Sequence, residues 1–473
     1  MSHVVIVGGG LTGLAVAFRL TRAAPGVAVT LLEGRPRAGG NVATADHGGF
    51  RVELGPNGFL DRTPHVPRLC RDLGLADRLV AGSEAARKNR YLFLNSRLRK
   101  LPGGPLGLLT TPLLGLRGKW GLFTEPFRGR ATPADGSGET DESVAAFVTR
   151  RAGREAAAVF ADALVTGIYA GDPTELSVAA TFPRLPVMER EAGSIIRGFM
   201  RAGKRRREEA AGRGEPPPGP QRMWSFREGL QTLTDRLAAA LGPAVKVGAR
   251  VRSLAPSAGV TGWFVRGEGR EAWSADAVVL ACPAYEQAAI LADLDAPLAD
   301  DISGITYNRI AVVALGYRAA DCPTRPDGFG YIAPQNTRRD VLGVQWCSSI
   351  YPDRAPPGCV LWRALCGGVT RDDVYDRDDD ALVRAVHSEM KVAMGVTAPP
   401  VFTRVARWPN AIPQYVIGHP ARVRRIEAAA ARHPGLFLTG NAYRGVALGD
   451  CAEQGEVVAD RVARFLEAAG SHD

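Results

Sequence analysis

At 473 residues, 45% of them hydrophobic, the chain is long enough for two or three domains with a sizeable core. The net charge of +10, from 59 basic and 49 acidic residues, favours anionic partners (nucleic acid, acidic lipid or a carboxylate-bearing substrate) without choosing among them. The seven cysteines are scattered, odd in number and never spaced C-x-x-C, which argues against a disulfide framework or a zinc site and fits a reducing cytosol.

In chain order, residues 3–7 read as a short apolar strand, 8–13 as a glycine-rich turn and 14–23 as a helix. Residues 27–32 read as a second strand that ends at Glu33. No basic-then-apolar leader precedes this unit, so no signal peptide is expected. Residues 64–80 suggest an amphipathic helix opened by Pro64. The longest uncharged run, 101–116, is too short to span a bilayer and is broken by Pro102, Pro105 and Pro112. Arg97, Arg99 and Lys100 precede it and Arg117, Lys119 and Trp120 follow, a pattern that suits either a membrane interface or a buried loop lining a cavity. A Gly/Pro/Asp/Ser-rich loop is expected near 128–138, and helices over 141–166 and 184–203. The basic stretch 201–220 suggests a solvated linker or surface loop, or a phospholipid contact. From Gly229 a helix leads back to nucleotide-domain patterning at 245–247, 251 and 277–281. Short β-rich runs between 302 and 408 predict a sheet in a second domain. A buried strand at 436–439 and a terminal helix at 455–465 close the chain.

The turn Gly8, Gly9, Gly10, Leu11, Thr12, Gly13 contains G-x-G-x-x-G between a strand and a helix, with Glu33 at the end of the next strand. Gly8 permits the tight turn, Gly10 lets backbone approach a pyrophosphate, and Gly13 lets helix and strand pack closely. The helix N-terminus offers free N–H groups to phosphate, and Glu33 can accept ribose hydroxyls. Seven histidines fall in no cluster, and neither a Ser-His-Asp set nor a metal spacing is visible.

Further strings carry a resemblance. EGRPRAGGN at 33–41 is similar to the second motif of the FAD-binding amine oxidase superfamily, and LFLTGNAYRGVALGD at 436–450 to its C-terminal flavin segment. ELGPNGFLD (53–61), NRYLFLNSRLRKLP (89–102, with Ser96 where glycine is usual), TGIYAGDPTELS (166–177), SSIYPDRAP, LCGG and RWPNAIPQY follow in order. Together they resemble the oxygen-dependent protoporphyrinogen/coproporphyrinogen III oxidase family over nearly the whole chain.

The resemblance implies an α/β (α+β) protein in three parts. A Rossmann-like FAD domain would comprise 1–86, 222–292 and 424–473; a helical, membrane-contacting region 87–221; and a mixed-sheet substrate domain 293–423. It implies six-electron oxidation of protoporphyrinogen IX through non-covalent FAD to molecular oxygen, with hydrogen peroxide released. It also implies a homodimer held on the cytoplasmic face of the inner membrane by acidic lipid, with no nucleic-acid partner and no metal. Carried over by position, the FAD contacts are the Gly8–Gly13 turn, Glu33, Arg37, Gly39, Gly40, Asn41, Gly55, Pro56, Asn57, Gly58, Val251, Trp408, Gly440, Val446, Ala447 and Leu448. Asn57 would stand at the flavin's reactive face. Arg90 would anchor a propionate through a guanidinium fork. Gly167 and Ala170 would bring backbone to the macrocycle, and Phe329, Ile332 and Leu365 would sandwich it, although core packing alone also explains these three. Gln345 and Cys366 depart from the apolar residues common there. Coproporphyrinogen III is the rival substrate, and Asp61 favours the less anionic one. More distant alternatives are a flavin amine oxidase, a carotenoid desaturase, or a GDP-dissociation-inhibitor-like binding protein without flavin.

Overall fold

The computed structural model describes residues 2–104, 107, 110–129, 141–213, 219–257, 262–324 and 326–470. Five parallel strands form the central sheet, in the order Val245–Val247, Ala28–Glu33, His3–Val7, Ala277–Leu280, Leu436–Leu438. Their near-continuous apolar sequence follows from burial on both faces. Val4 and Ile6 point to the helices Leu11–Ala23, Gln231–Leu241 and Leu448–Gly470. Val5 and Val7 point to Ala284–Leu291, Ala296–Ser303, His419–Ala430 and a three-stranded antiparallel sheet, 251–275. Three stretches of sequence far apart in the chain thus assemble one nucleotide-binding layer.

A second sheet of seven strands runs in the order Phe402–Trp408, Ile310–Arg318, Cys359–Gly367, Gly343–Gln345, Gly330–Ile332, Arg90–Leu94, Arg97–Lys100. All neighbours are antiparallel except the parallel pair formed by Gly330–Ile332 and Arg90–Leu94. The last two strands lie in the 87–221 segment expected to be helical. They instead extend this sheet, because the alternation Tyr91, Phe93 places aromatic rings in the core beneath it. That core also takes Trp362, Ala364 and Cys366, together with the helix Asp379–Met394. The opposite face of the sheet looks toward the nucleotide layer.

Other expectations shift. The helix read over 64–80 is His65–Asp72 only, since Gly74 adopts φ +68° and the chain turns into the strand Leu79–Ala81. The basic stretch is not a loop where it is described. The helix Ile195–Gly212 continues through it, aided by the i,i+4 pairs Lys204–Glu208 and Arg205–Glu209. Residues 214–218 of that stretch, and 130–138 of the loop expected near 128–138, lie outside the described residues. In the helical region Arg151 is fully buried, with Nε donating to Glu125 Oε1 at 2.9 Å. Glu125 also accepts from Ser194 Oγ at 2.5 Å and Ile195 N at 2.9 Å. Burial opposes ionisation there, yet the Ser194 and Arg151 hydrogen bonds hold the Glu125 carboxyl below its ordinary range.

The uncharged run divides by face. Leu113 and Leu114 are buried and Leu116 is exposed; beyond the run Trp120, Phe123 and Phe127 are exposed, as are Phe199 and Met200 of the 195–212 helix, whose Arg197 lies over the Phe127 ring. No helix among the described residues is long and apolar enough to cross a membrane.

Candidate active site

The two sheets enclose a cavity of about 530 Å³ that runs from Glu33, Arg250 and Val251 at one end to Gln345, Arg363 and Leu365 at the other. The glycine turn shapes the end nearest Glu33. A Cβ on Gly8 (φ +110°) would lie 2.5 Å from Cys282 N, and one on Gly13 would strike Gly8 O. A Cβ on Gly10 would meet no protein atom within 4 Å, because that face opens on the cavity. Glu33 accepts from Gly9 N at 2.7 Å and Arg35 N at 2.8 Å, which fixes its carboxylate at the cavity wall with further lone pairs free. Gly39 N donates to Gly9 O at 2.7 Å and so ties the second glycine segment to the first.

At the far end Gly55, Pro56 and Asn57 face the sheet residues Ile310, Val312, Gln345, Arg363, Leu365 and Trp408. Trp408 Nε1 donates to Leu54 O at 2.7 Å and Arg363 Nη2 to Gly55 O at 2.7 Å, so the sheet holds this segment in place. The terminal helix begins at Leu448, beside Gly440 and Val446, and presents its N-terminus to the cavity. Four buried polar atoms at this end lack a protein partner among the described residues: Asn57 Nδ2, Gln345 Oε1, and Arg363 Nε and Nη1. Buried polar groups are seldom left unpaired, so these mark where a ligand's own donors and acceptors belong.

The cavity gathers most of the positions expected to touch FAD: Gly8, Gly10, Leu11, Thr12, Glu33, Gly39, Gly40, Asn41, Gly55, Pro56, Asn57, Val251, Trp408, Gly440, Val446 and Leu448. Others support its wall from behind. Arg37 clamps the loop by donating to Ala38 O at 2.8 Å and Val42 O at 3.0 Å. Gly58 packs against Tyr351 and Trp224, and Ala447 N caps onto Asp450 Oδ2 at 3.2 Å. Of the substrate positions, Gly167, Ala170 and Leu365 line the cavity. Ile332 packs against Gly167 just beyond it, while the Arg90 guanidinium lies 4.9 Å from the Phe329 ring centroid outside it. Arg363 and Gln345 face the ligand space at directly opposed positions of neighbouring strands. None of the motifs marks Arg363, although an arginine between Leu361 and Leu365 in an apolar strand is the signal for it.

The cavity suits FAD. A glycine face open to a pyrophosphate, an acid fixed at one end of the cleft and a helix N-terminus at the other are all present. Cys282 and Cys451 line the wall, but burial keeps both as thiols, Cys451 pushed up to about 11, so neither is primed to bond a flavin. Fold and site together define an FAD-dependent oxidoreductase.

Comparison with known proteins agrees. The chain matches the family of flavin-containing amine oxidoreductases over residues 11–463, and it belongs to that family. It is 30% identical to coproporphyrinogen III oxidase of Bacillus subtilis, over 98% of each chain. It is 31% identical to the chloroplastic protoporphyrinogen oxidase 1 of Arabidopsis thaliana, over 98% of this chain and 88% of that one. A solved structure from Exiguobacterium sp. 255-15, provisionally named a protoporphyrinogen oxidase, shares the fold with TM-score 0.81 at 24% identity, over 98% and 99% of the two chains. The protein is an FAD-dependent oxidase.

Proposed function

We propose that the chain oxidises a porphyrinogen to the corresponding porphyrin, giving up six electrons in three pairs, with molecular oxygen as final acceptor. The observation that supports this reading is the lining of the redox end. Among the described residues it contains no histidine, lysine, aspartate or glutamate, and its single formal charge is the buried Arg363. A cationic amine would be repelled there, whereas a carboxylate-bearing macrocycle would not. When bound, FAD supplies the electron-pair acceptor. The chain's own residues orient and exclude water. Ile310, Val312 and Leu365 form an apolar floor, Gln345 Oε1 is placed to accept a pyrrole N–H, and Asn57 Nδ2 donates at the opposite wall.

Protoporphyrinogen IX is the substrate that the resemblance implies. Asp61, read from sequence as favouring it, does not line the cavity. Its carboxylate accepts from Trp224 Nε1 and Arg222 N, both at 3.0 Å, and lends that choice no weight. Arg363 and Arg90, neither of them ion-paired among the described residues, favour coproporphyrinogen III as a second reading. Anaerobic flavin reduction by each porphyrinogen in turn is the test. Bleaching is expected, and a flavin left oxidised by both would refute the reaction.

A peripheral position on the cytoplasmic membrane face is proposed with it. The exposed Trp120, Phe123, Phe127, Phe199 and Met200 adjoin the cations of the 195–212 helix, an apolar tip ringed by charge that suits an anionic bilayer surface.

A further inference from the structure

The cavity-facing side of the seven-stranded sheet carries two cross-strand rows. One runs Val312, Leu365, Gly343, Ile332, Leu92, Arg99; the other runs Ala314, Arg363, Gln345, Gly330, Arg90. Arg363 and Arg90 therefore share one row, three strand spacings or roughly 14 Å apart. Between them lie only Gln345 and a glycine (φ +138°) with no side chain to block the floor.

Neither arginine has a carboxylate partner among the described residues. Arg90 rests on the Phe329 ring at 4.9 Å. Arg363 is 3% exposed, and the hydrogen bond that its guanidinium makes among those residues goes to Gly55 O. Glu53, whose charge acts on Arg363 without a hydrogen bond to it, is already occupied by Arg354 Nη2 at 3.0 Å, Leu230 N at 2.8 Å and Thr44 Oγ1 at 2.7 Å. Burial draws Arg363 below the usual arginine range, but a guanidinium keeps its charge in proteins. One carboxylate thus serves two buried guanidiniums and bonds only Arg354, which leaves the Arg363 charge costly unless something anionic meets it. Packing gives no reason for it.

We propose that Arg363 is a specificity-determining residue that selects a tetrapyrrole with carboxylates on opposite edges, one met by Arg90 at the rim and the other by Arg363 at the inner end. This rests on the porphyrinogen reading. Coproporphyrinogen III carries a propionate on every pyrrole and so offers a carboxylate at both edges. Protoporphyrinogen IX carries its two on one edge, with vinyl groups on the other, and leaves one arginine unmatched.

The test is the ratio of kcat/KM for coproporphyrinogen III over protoporphyrinogen IX in the FAD-loaded enzyme, compared with Arg363→Met and Gln345→Glu. In the second variant the introduced carboxylate would stand directly opposite Arg363 and occupy its free N–H groups without deleting it. Both variants should lower the ratio roughly tenfold or more, the loss expected for one charge-assisted contact. The flavin spectrum and the affinity of the bound flavin for sulfite, read without substrate, should stay within about twofold of the parent. Equal loss on both substrates, or weakened sulfite binding with an unchanged ratio, would assign Arg363 to the flavin and overturn the proposal. If Arg363→Met sheds its flavin, an unchanged ratio in Gln345→Glu overturns it as well. A parent that oxidises neither porphyrinogen refutes the underlying reaction instead.

Discussion

Gly10 shows how one residue separates fold from function. Its missing side chain leaves space in the cavity rather than in the core, so Gly10→Val should fold normally and lose FAD. Equal thermal stability of the two apoproteins, with flavin absorbance absent from the purified variant, is the expected result. Full flavin retention would refute the pyrophosphate assignment. Arg90 tests the rim. Removing a charge-assisted contact of roughly 1.5–3 kcal/mol should reduce kcat/KM about 10- to 150-fold, chiefly through KM. Arg90→Lys should recover part of it. Steady-state rates within about twofold of the parent would show that Arg90 makes no contact with the substrate. At this scale the dinucleotide turn was legible because its reasons are local: a turn, a close approach and a helix start within a few residues. Arg363 and Gln345 were not, because their meaning lies in a register between strands that no local pattern encodes.

Among the elements, the helix His419–Ala430 opens on a histidine, an unfavourable place for a cation because helix N-termini carry positive charge. His419 is buried, stacks on Tyr415 with centroids 4.3 Å apart, and its Nε2 lies 3.1 Å from Tyr443 O. Burial lowers its pKa to about 4, with the Tyr443 carbonyl opposing and Arg422 assisting. Because the folded value lies below the unfolded one of about 6.5, the unfolded chain binds the proton more readily between them. Stability is therefore complete above pH ~6.5 and declines by about 3 kcal/mol as pH falls toward 4. His419→Phe keeps the stack and should flatten that part of the urea-midpoint profile. A variant with the parent's acid slope would remove His419 as the cause. Elements with strong periodicity, such as the strands at 3–7 and 28–33, emerged from the sequence near their true bounds. The 201–212 segment did not. Its charges suggest a loop, whereas they decorate the solvent face of a helix. Likewise the strands at 90–100 owe their place to partners more than two hundred residues away.

For the whole molecule, the apolar tip predicts behaviour that no single residue does. Flotation with anionic liposomes should carry the protein up at low salt and only partly at high salt, since screening removes the electrostatic share and leaves the apolar one. A triple Trp120→Ser, Phe123→Ser, Phe199→Ser variant should remain at the bottom while keeping its flavin. Parental flotation of that variant would move the contact elsewhere, and failure of the parent to float at any salt would sink the membrane reading. The order of motifs anticipates that residues 436–450 return to the nucleotide layer, but not which residues they meet there. The terminal helix seats Gly455 against Thr12 and Ala15 of the first helix, and the strand 436–438 completes a sheet begun at residue 3. The wall that receives the cofactor is thus finished by a segment synthesised long after the turn it faces. Until then the emerging chain exposes half a nucleotide site with nothing to grip it, and flavin capture becomes an event that certifies passage of the ribosome beyond the last helix. A chain that stops before Leu448 should accumulate as colourless, protease-sensitive protein however well its first domain has begun to fold.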